Sequence, residues 1–241
     1  MSITIRRAQT ISNGVTLRGN NTQVSPPPPT IVTDGLVLHY DFSDPVCYNG
    51  ISGDLVPPNY AVTDLSTANN TGSVHISDYS VNWTNAGQAS YMTWGSRYYE
   101  DDYIGVTNQN TFTDFTIVLE PDFGGDGLRG VFAVGPDSSL RVYNALWQLP
   151  NPGNGNDWSM DGTTYYVNGQ ASNQLVAGWN ILGGAKANSN MAGVTPLRIA
   201  TCWYQDRGFQ GKIALVLMYN RALTEQEQLQ NYNALKARFG L

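Results

Sequence analysis

The sequence predicts an all-β fold, an antiparallel two-sheet sandwich of the jelly-roll type with one helix at its C-terminal end. Charged residues make up only 13% of the 241 residues, whereas 25 glycines and 14 tyrosines suit short strands joined by tight turns. Short segments of alternating apolar and polar residues recur from Leu36 onward with no helical pattern between them. Ten to fourteen such strands with no intervening helix imply two packed sheets.

The first 33 residues differ in composition from the rest, and we predict two parts: an arm at residues 1–33 and a sandwich domain at residues 34–241. The arm holds three arginines, namely Arg6, Arg7 and Arg18, and no Asp or Glu, so its charge is +3. The remaining 10 basic and 19 acidic residues give the domain a charge of −9. Such charge asymmetry is typical of an interaction tail.

The arm also has apolar residues at alternating positions, Ile3 and Ile5 among them. A short alternating segment can add as a strand to the exposed edge of another protein's sheet. Four consecutive prolines, residues 26–29, predict a stiff spacer between the arm and the domain. We therefore expect Ile3, Ile5 and the three arginines to bind a partner; the alternative is a disordered terminus.

Within the domain, strands are predicted at residues 36–40, 103–106, 115–119, 131–134, 140–147, 165–167, 179–182, 197–204 and 213–219. Phe115, Ile117 and Leu119 alternate with more polar positions, which predicts a half-buried strand. Residues 213–219 are apolar without interruption, which predicts a central strand covered on both faces. Asn168 and Gly169 predict a two-residue type I′ hairpin.

A helix is predicted to begin near Glu225, because Thr224 and Glu227 have the spacing of a capping box. Its apolar positions recur at helical spacing and would cover the strand at residues 213–219. These positions are Leu229, Tyr232, Leu235 and Phe239. Gly240 is expected to end the helix.

Two segments of the sequence resemble a known family. They are YNRALTEQE (residues 219–227), together with the helix that follows it, and GLVLHYDF (residues 35–42). Both are similar to the ends of laminin-G-like domains of the concanavalin A-like lectin/glucanase group, in the versions found in structural proteins of tailed bacteriophages. The resemblance spans about residues 34–241 and implies the sandwich fold. The resemblance says little about activity, because proteins with this fold include lectins, hydrolases and inert virion parts.

From this resemblance we expect a non-enzymatic virion structural protein, a capsid decoration protein made in the host bacterial cytoplasm. Its partners would be other virion proteins, either major capsid or tail proteins, with many copies or a homo-oligomer on the particle. The alternative is a carbohydrate-binding adhesin on a tail fibre or baseplate, which would contact a host glycan.

Catalysis is not predicted. Glucanases of the resembling group carry Glu-x-Asp-x-x-Glu on one strand. The nearest string, residues 120–125, lacks the third acid and contains Pro121, which we expect to interrupt the strand. Nucleophile-elbow, P-loop, CxxC and HExxH motifs are absent from the sequence.

We do not expect the protein to bind nucleic acid or a membrane. The net charge of −6 and pI of about 4.7 oppose phosphate binding. The longest apolar run is far shorter than the roughly 20 residues of a membrane span, and we find no signal-peptide pattern. Cys47 and Cys202 are expected to be buried free thiols rather than a disulfide framework.

Two binding sites remain as candidates. Loop acids could bind calcium at the rim of the sandwich, but their spacing matches no calcium loop, so solvated residues and no cofactor are favoured. These acids are Asp101, Asp102, Asp122 and Asp126. Sugar binding would use Trp94 and Trp158 as stacking platforms with Asp157 beside them; the alternative is that these aromatic residues are core.

Overall fold

The structure is a computed structural model that describes residues 4–10, 16–22, 29–50, 52–76, 81–95, 102–106, 112–122, 128–134, 139–143, 163–186, 197–201 and 208–241. The strands are β1 (Thr4–Thr10), β2 (Thr16–Thr22), β3 (Leu36–Asp41), β4 (Ala61–Val62), β5 (Gly72–His75), β6 (Val81–Thr84), β7 (Tyr91–Trp94), β8 (Tyr103–Val106), β9 (Asp114–Pro121), β10 (Leu128–Val134), β11 (Ser139–Tyr143), β12 (Thr163–Val167), β13 (Gln170–Ala171), β14 (Asn180–Lys186), β15 (Leu197–Ile199) and β16 (Gly211–Tyr219). One α-helix, α1 (Glu225–Leu235), and two 3-10 turns, Gly87–Ala89 and Lys236–Arg238, complete the described elements.

Two antiparallel sheets form the sandwich, which confirms the predicted fold class. One sheet has the order β11-β10-β15-β8-β5-β4. The other has the order β13-β12-β14-β9-β16-β7-β6, with β3 also paired to β16. Large apolar side chains from both sheets meet between them and are removed from water, among them Tyr40, Phe115, Ile104 and Phe132. Burial of this surface is the main favourable term in folding.

The strand β16 occupies the centre of the larger sheet. It pairs with β9 along its length on one side, and with β7 and then β3 on the other. Ile213 and Met218 face the core between the sheets, whereas Leu215 and Leu217 face a second core beneath α1. The prediction of a central strand covered on both faces is therefore confirmed.

The neighbouring strand β9 differs from the sequence prediction. Residues 114–119 are all buried, and Glu120 is half-buried. The expected half-buried strand is wrong because α1 and its loop cover the second face, where Val118 packs into the second core. The polar side chains of Thr116 and Asp114 are tolerated on that buried face because helix side chains and the loop before the helix donate hydrogen bonds to them.

The capping box of α1 is confirmed. The Thr224 hydroxyl accepts a hydrogen bond from the Glu227 backbone N–H at 3.3 Å, and the Glu227 carboxylate accepts one from the Thr224 N–H at 2.9 Å. Arg221 forms an ion pair with Glu227 and lowers the pKa of that carboxyl to about 2. Arg238, beyond the helix, forms a two-point ion pair with Asp41 of β3, at 2.8 and 2.9 Å.

The predicted apolar stripe of α1 is confirmed in part: Leu235 and Phe239 are buried in the second core and Tyr232 packs against it, but Leu229 does not. Leu229 is 41% exposed, whereas Gln228, Asn231 and Leu235 are buried. The prediction for Leu229 is wrong because the helix is rotated toward its polar residues, which satisfy buried polar groups of the sheet. The Asn231 amide accepts from the Val32 N–H at 2.8 Å and donates to the Thr116 hydroxyl at 2.9 Å.

The hairpin between β12 and β13 follows its prediction. Asn168 and Gly169 both have positive φ, at 51° and 76°, and Val167 pairs with Gln170 across the turn. Positive φ at both central residues is the requirement of a type I′ turn.

The arm strands β1 and β2 pair with each other in antiparallel register, from Thr4 opposite Thr22 to Thr10 opposite Thr16. They form a two-stranded sheet apart from the two sandwich sheets. Ile3 lies outside the described residues, and the backbones of Ile5, Arg6, Arg7 and Arg18 lie in these strands. In the described part of the chain, no helix is long and apolar enough to span a membrane.

We expect Leu235→Ala to lower the free energy of unfolding by about 2–5 kcal/mol, because the side chain is 2% exposed in the second core. Leu229→Ala, six residues earlier on the same helix, should cost less than about 1 kcal/mol. Urea unfolding followed by circular dichroism measures both. Equal losses would contradict the helix orientation.

Asp114 should make stability depend on pH. Burial raises its pKa to about 7, although the Leu223 N–H, the Gln228 amide and the Phe115 N–H lower it. The folded state therefore holds this proton more tightly than the unfolded chain does. The contribution is fully present below about pH 4 and is lost as pH rises through about 7, with a size on the order of 4 kcal/mol.

Urea unfolding of the wild type and of Asp114→Asn between pH 4 and 8 tests this dependence. The variant cannot titrate at residue 114, so its stability should fall less than that of the wild type as pH rises. Parallel curves for the two proteins would mean that Asp114 does not titrate in this range.

Candidate functional site: the rim pocket

One end of the larger sheet carries a cavity of about 480 Å³, here called the rim pocket. It forms where β7 and β9 end and β16 begins, since Gly211 pairs with Trp94 on one side and with Pro121 on the other. The pocket is lined by Thr93, Trp94, Gly95, Glu120, Pro121, Asp122, Gln210, Gly211 and Lys212. Its volume lies within the roughly 300–1,000 Å³ of small-molecule sites.

Gly211 is required for this convergence of strands. Its φ is +138°, and a Cβ at this position would overlap the Glu120 carbonyl oxygen and approach the Asp122 nitrogen to 2.9 Å. The missing side chain lets β16 start close against the end of β9, and the Asp122 N–H donates to the Gln210 carbonyl at 3.0 Å. A glycine is favoured where two backbones approach this closely.

The charged groups of the rim pocket are held by their neighbours. The Lys212 ammonium lies 3.0 Å from a Glu120 carboxylate oxygen. The same ammonium lies over the rings of Tyr91 and Trp179, at 5.2 and 5.9 Å from the ring centres. These contacts fix Lys212 at the edge of the pocket and combine an ion pair with cation–π attraction.

Two residues that line the rim pocket each carry a buried polar atom without a hydrogen-bond partner, namely Nε1 of Trp94 and Oε1 of Gln210, and both atoms are closed to solvent. The first can only donate a hydrogen bond, and the second can only accept one. The Gln210 amide nitrogen donates to Asp122 at 3.3 Å, which orients the amide. Buried polar groups are nearly always paired in folded proteins, so each such atom calls for an explanation.

Pro121 does not interrupt β9, contrary to the sequence prediction, because it is the last residue of the strand. The neighbouring strand β14 pairs only with residues 114–119 of β9. The missing N–H of Pro121 therefore lies beyond the β14 ladder, where proline is tolerated. Glu120 and Asp122 consequently reach the same end of the sheet.

Of the predicted sugar-binding residues, Trp94 is described and is 1% exposed. Its role as an exposed stacking platform is wrong because the side chain is buried in the core between the sheets, although the residue lines the rim pocket. Trp158 and Asp157 lie outside the described residues.

The calcium candidates are not assembled into a site within the described residues. Asp102 is buried before β8, and Asp122 follows β9 at the rim pocket. Asp101 and Asp126 lie outside the described ranges. Across those ranges, no group of three or more His, Cys, Asp or Glu side chains could hold a metal ion.

Cys47 is a buried free thiol, as predicted, and Cys202 lies outside the described residues. Burial raises the pKa of the Cys47 thiol to about 12, so the reactive thiolate is scarce at neutral pH. Cys47 is therefore a core residue and no candidate nucleophile.

Sequence reasoning missed Gln210 and Lys212. The apolar pattern of β16 predicts the strand but says nothing about the polar residues at and before its start, where the pocket lies. The available signal was Gly211, a glycine placed directly before a buried strand, which often marks close backbone approach.

No protein-family model and no curated protein matches the sequence. Among solved structures, the fold is similar to "Domain 4 of AbnA, a GH43 extracellular arabinanase from Geobacillus stearothermophilus, in complex with arabinotriose". The TM-score is 0.52 at 12% identity, over 83% of this chain and 100% of that domain. At this identity the likeness supports the β-sandwich fold and nothing about activity.

We expect Gly211→Ala to lower the free energy of unfolding by about 2–5 kcal/mol, since it combines an unfavourable φ with a backbone clash. Gly178→Ala is the matched control: its φ is +87°, but nothing lies within 4 Å of the added carbon. That variant should cost about 1 kcal/mol. Urea unfolding measures the stability of both variants. Similar losses of stability would show that the close approach of the two backbones is not the reason for a glycine at position 211.

Proposed function

We propose that this protein is a non-enzymatic structural protein of a tailed-phage virion, a capsid decoration protein attached through its N-terminal arm. The observation that carries the proposal is the division of the chain into a +3 arm and a −9 domain. The laminin-G-like sequence resemblance at residues 35–42 and 219–227 supplies the virion setting.

The arm has the form of a strand-addition module. In a two-stranded sheet each strand has one edge without a partner strand, and β1 and β2 pair with each other apart from the sandwich sheets. Such an edge is a template for a strand of another chain. A two-stranded hairpin is marginally stable alone, so docking on a partner would stabilise it.

The absence of catalysis is part of the proposal. Glu120 is engaged by Lys212 at 3.0 Å, and the string at residues 120–125 has glycine where the third acid of the glucanase pattern would stand. The partners would be major capsid or tail proteins, contacted by many copies or by a homo-oligomer. The acidic domain favours neither nucleic acid nor membrane as a partner.

Removal of residues 1–25 tests the attachment. The truncated protein should fold with an unchanged unfolding midpoint, because the cores lie within residues 29–241, and it should no longer co-sediment with phage particles. Full occupancy of a truncated, folded protein on the particles would refute attachment by the arm.

A matched pair of charge reversals refines the test. Arg18→Glu in the arm should weaken co-sedimentation, because it removes one of three positive charges there. Lys236→Glu in the domain makes the same change in net charge and should leave binding unchanged. Equal effects would show that only the total charge matters.

Carbohydrate binding by the sandwich is a second candidate function. The observation that favours it is the rim pocket, a cavity of small-molecule size lined by two acidic residues, a glutamine and a lysine. The structurally similar arabinanase domain is in complex with arabinotriose. Saturable binding of a neutral oligosaccharide to the full-length protein tests this function.

A further inference from the structure

We propose that the outward face of α1 is a second docking surface, which lies against the same virion protein that binds the arm. This surface, here called the helix patch, consists of Gln226, Leu229 and Gln230, which are all exposed. Its partner is an uncharged protein surface beside the sheet edge to which the arm adds. The inference rests on the proposed attachment through the arm and names a further contact of that attachment.

The rotation of α1 turns a leucine outward and two amides inward. Leu229 is 41% exposed, whereas Gln228 and Asn231 are buried. A helix on a sheet normally buries its apolar residues and exposes its amides, because removing apolar surface from water is favourable. Departures from such a local rule are expected at functional sites. Leu229 is therefore placed where a partner can bury it.

The helix patch carries no charge, although the domain has a net charge of −9. Charged residues are depleted at the centre of protein–protein interfaces, because an unpaired charge loses its hydration there. Lys236 lies about two turns beyond Leu229 and bonds to Asn233, outside the patch. A neutral surface with an exposed leucine suits contact with an uncharged protein surface.

The segment that leads to the arm is fastened beside the helix patch. The Gln230 amide donates to the Thr30 carbonyl at 2.8 Å. The Val32 N–H donates to the Asn231 amide oxygen at 2.8 Å, and the Tyr219 hydroxyl donates to the Val32 carbonyl at 3.1 Å. Val32 is also buried in the second core. The chain therefore runs along α1 where it joins the domain.

Covalent geometry limits how far the arm can lie from the helix patch. Eight peptide units join Thr22, the last residue of β2, to Thr30. At no more than about 3.6 Å each, these units reach about 29 Å. A domain of this length is on the order of 40 Å across, so the arm meets its partner on the α1 side of the domain. The helix patch is thus the part of the domain that this partner approaches.

Co-sedimentation of the full-length protein with phage particles, over a range of protein concentrations, tests the helix patch. Leu229→Lys should weaken binding by about tenfold or more, because the added ammonium loses hydration at the contact. Lysine is chosen because a general charge effect would act the other way, since the partner attracts the basic arm. Gln226→Lys changes a second exposed position and should also weaken binding.

Leu55→Lys is the matched control, because it exchanges the same two residue types elsewhere. Leu55 is 61% exposed and pairs with Asn82 of β6, at one edge of the larger sheet. The helix α1 packs instead on β9, where Asn231 donates to Thr116. The control should leave the affinity unchanged. Thermal unfolding checks that each variant retains the fold, and if one patch variant misfolds, the other decides.

The outcomes separate the helix patch from the arm. Wild-type affinity in both patch variants would overturn the patch and leave attachment by the arm standing. Self-association of the wild type in sedimentation velocity, lost in Leu229→Lys while particle binding is unchanged, would assign the patch to a second copy and also overturn the proposal. If the wild type does not bind particles, or the protein without residues 1–25 binds at full occupancy, attachment by the arm fails and the helix patch fails with it.

Discussion

The burial of β16 on both faces is the constraint on which the rest of the structure depends. A nine-residue strand with apolar side chains on each side needs two separate covers, and the sandwich supplies only one of them. The second cover is α1, which follows the strand after a short loop. A bulge between Ile213 and Leu215 places Ala214 and Leu215 both on the helix side, which widens the surface that α1 covers.

The attachment of α1 to the sheet relies on polar contacts as much as on apolar ones. Asp114 accepts hydrogen bonds from the Leu223 N–H and the Gln228 amide, and Asn231 bridges Val32 and Thr116. Such directional bonds fix how the helix is rotated, whereas apolar contacts alone tolerate several rotations. The pairing of Arg238 with Asp41 then ties the end of the chain to β3.

The rim pocket is a consequence of how β16 begins. The same strand that needs cover along its centre starts between β7 and β9 with a glycine, and the close approach of these backbones leaves polar side chains around a cavity. Two buried polar atoms of the residues around it, Nε1 of Trp94 and Oε1 of Gln210, have no hydrogen-bond partner, which opposes stability. The site and the core therefore depend on one strand.

The sequence by itself determined the elements whose causes are local. The capping box at Thr224, the hairpin at Asn168 and Gly169, and the apolar run of β16 each need only neighbouring residues, and each was predicted correctly. The all-β sandwich followed from composition and alternation for the same reason. The charge difference between the arm and the domain is also a property of the sequence alone.

Only the tertiary structure decided the features that join distant segments. Leu229 faces solvent because Asn231 meets Val32, 199 residues away in the chain, and helical periodicity carries no information about such a partner. Trp94 lies in the core because β6 and β16 flank its strand, although its sequence neighbours are polar. Gln210 and Trp94 line one pocket because β7 and β9 end where β16 begins, and that proximity comes from strand pairing across more than a hundred residues, which no local pattern encodes.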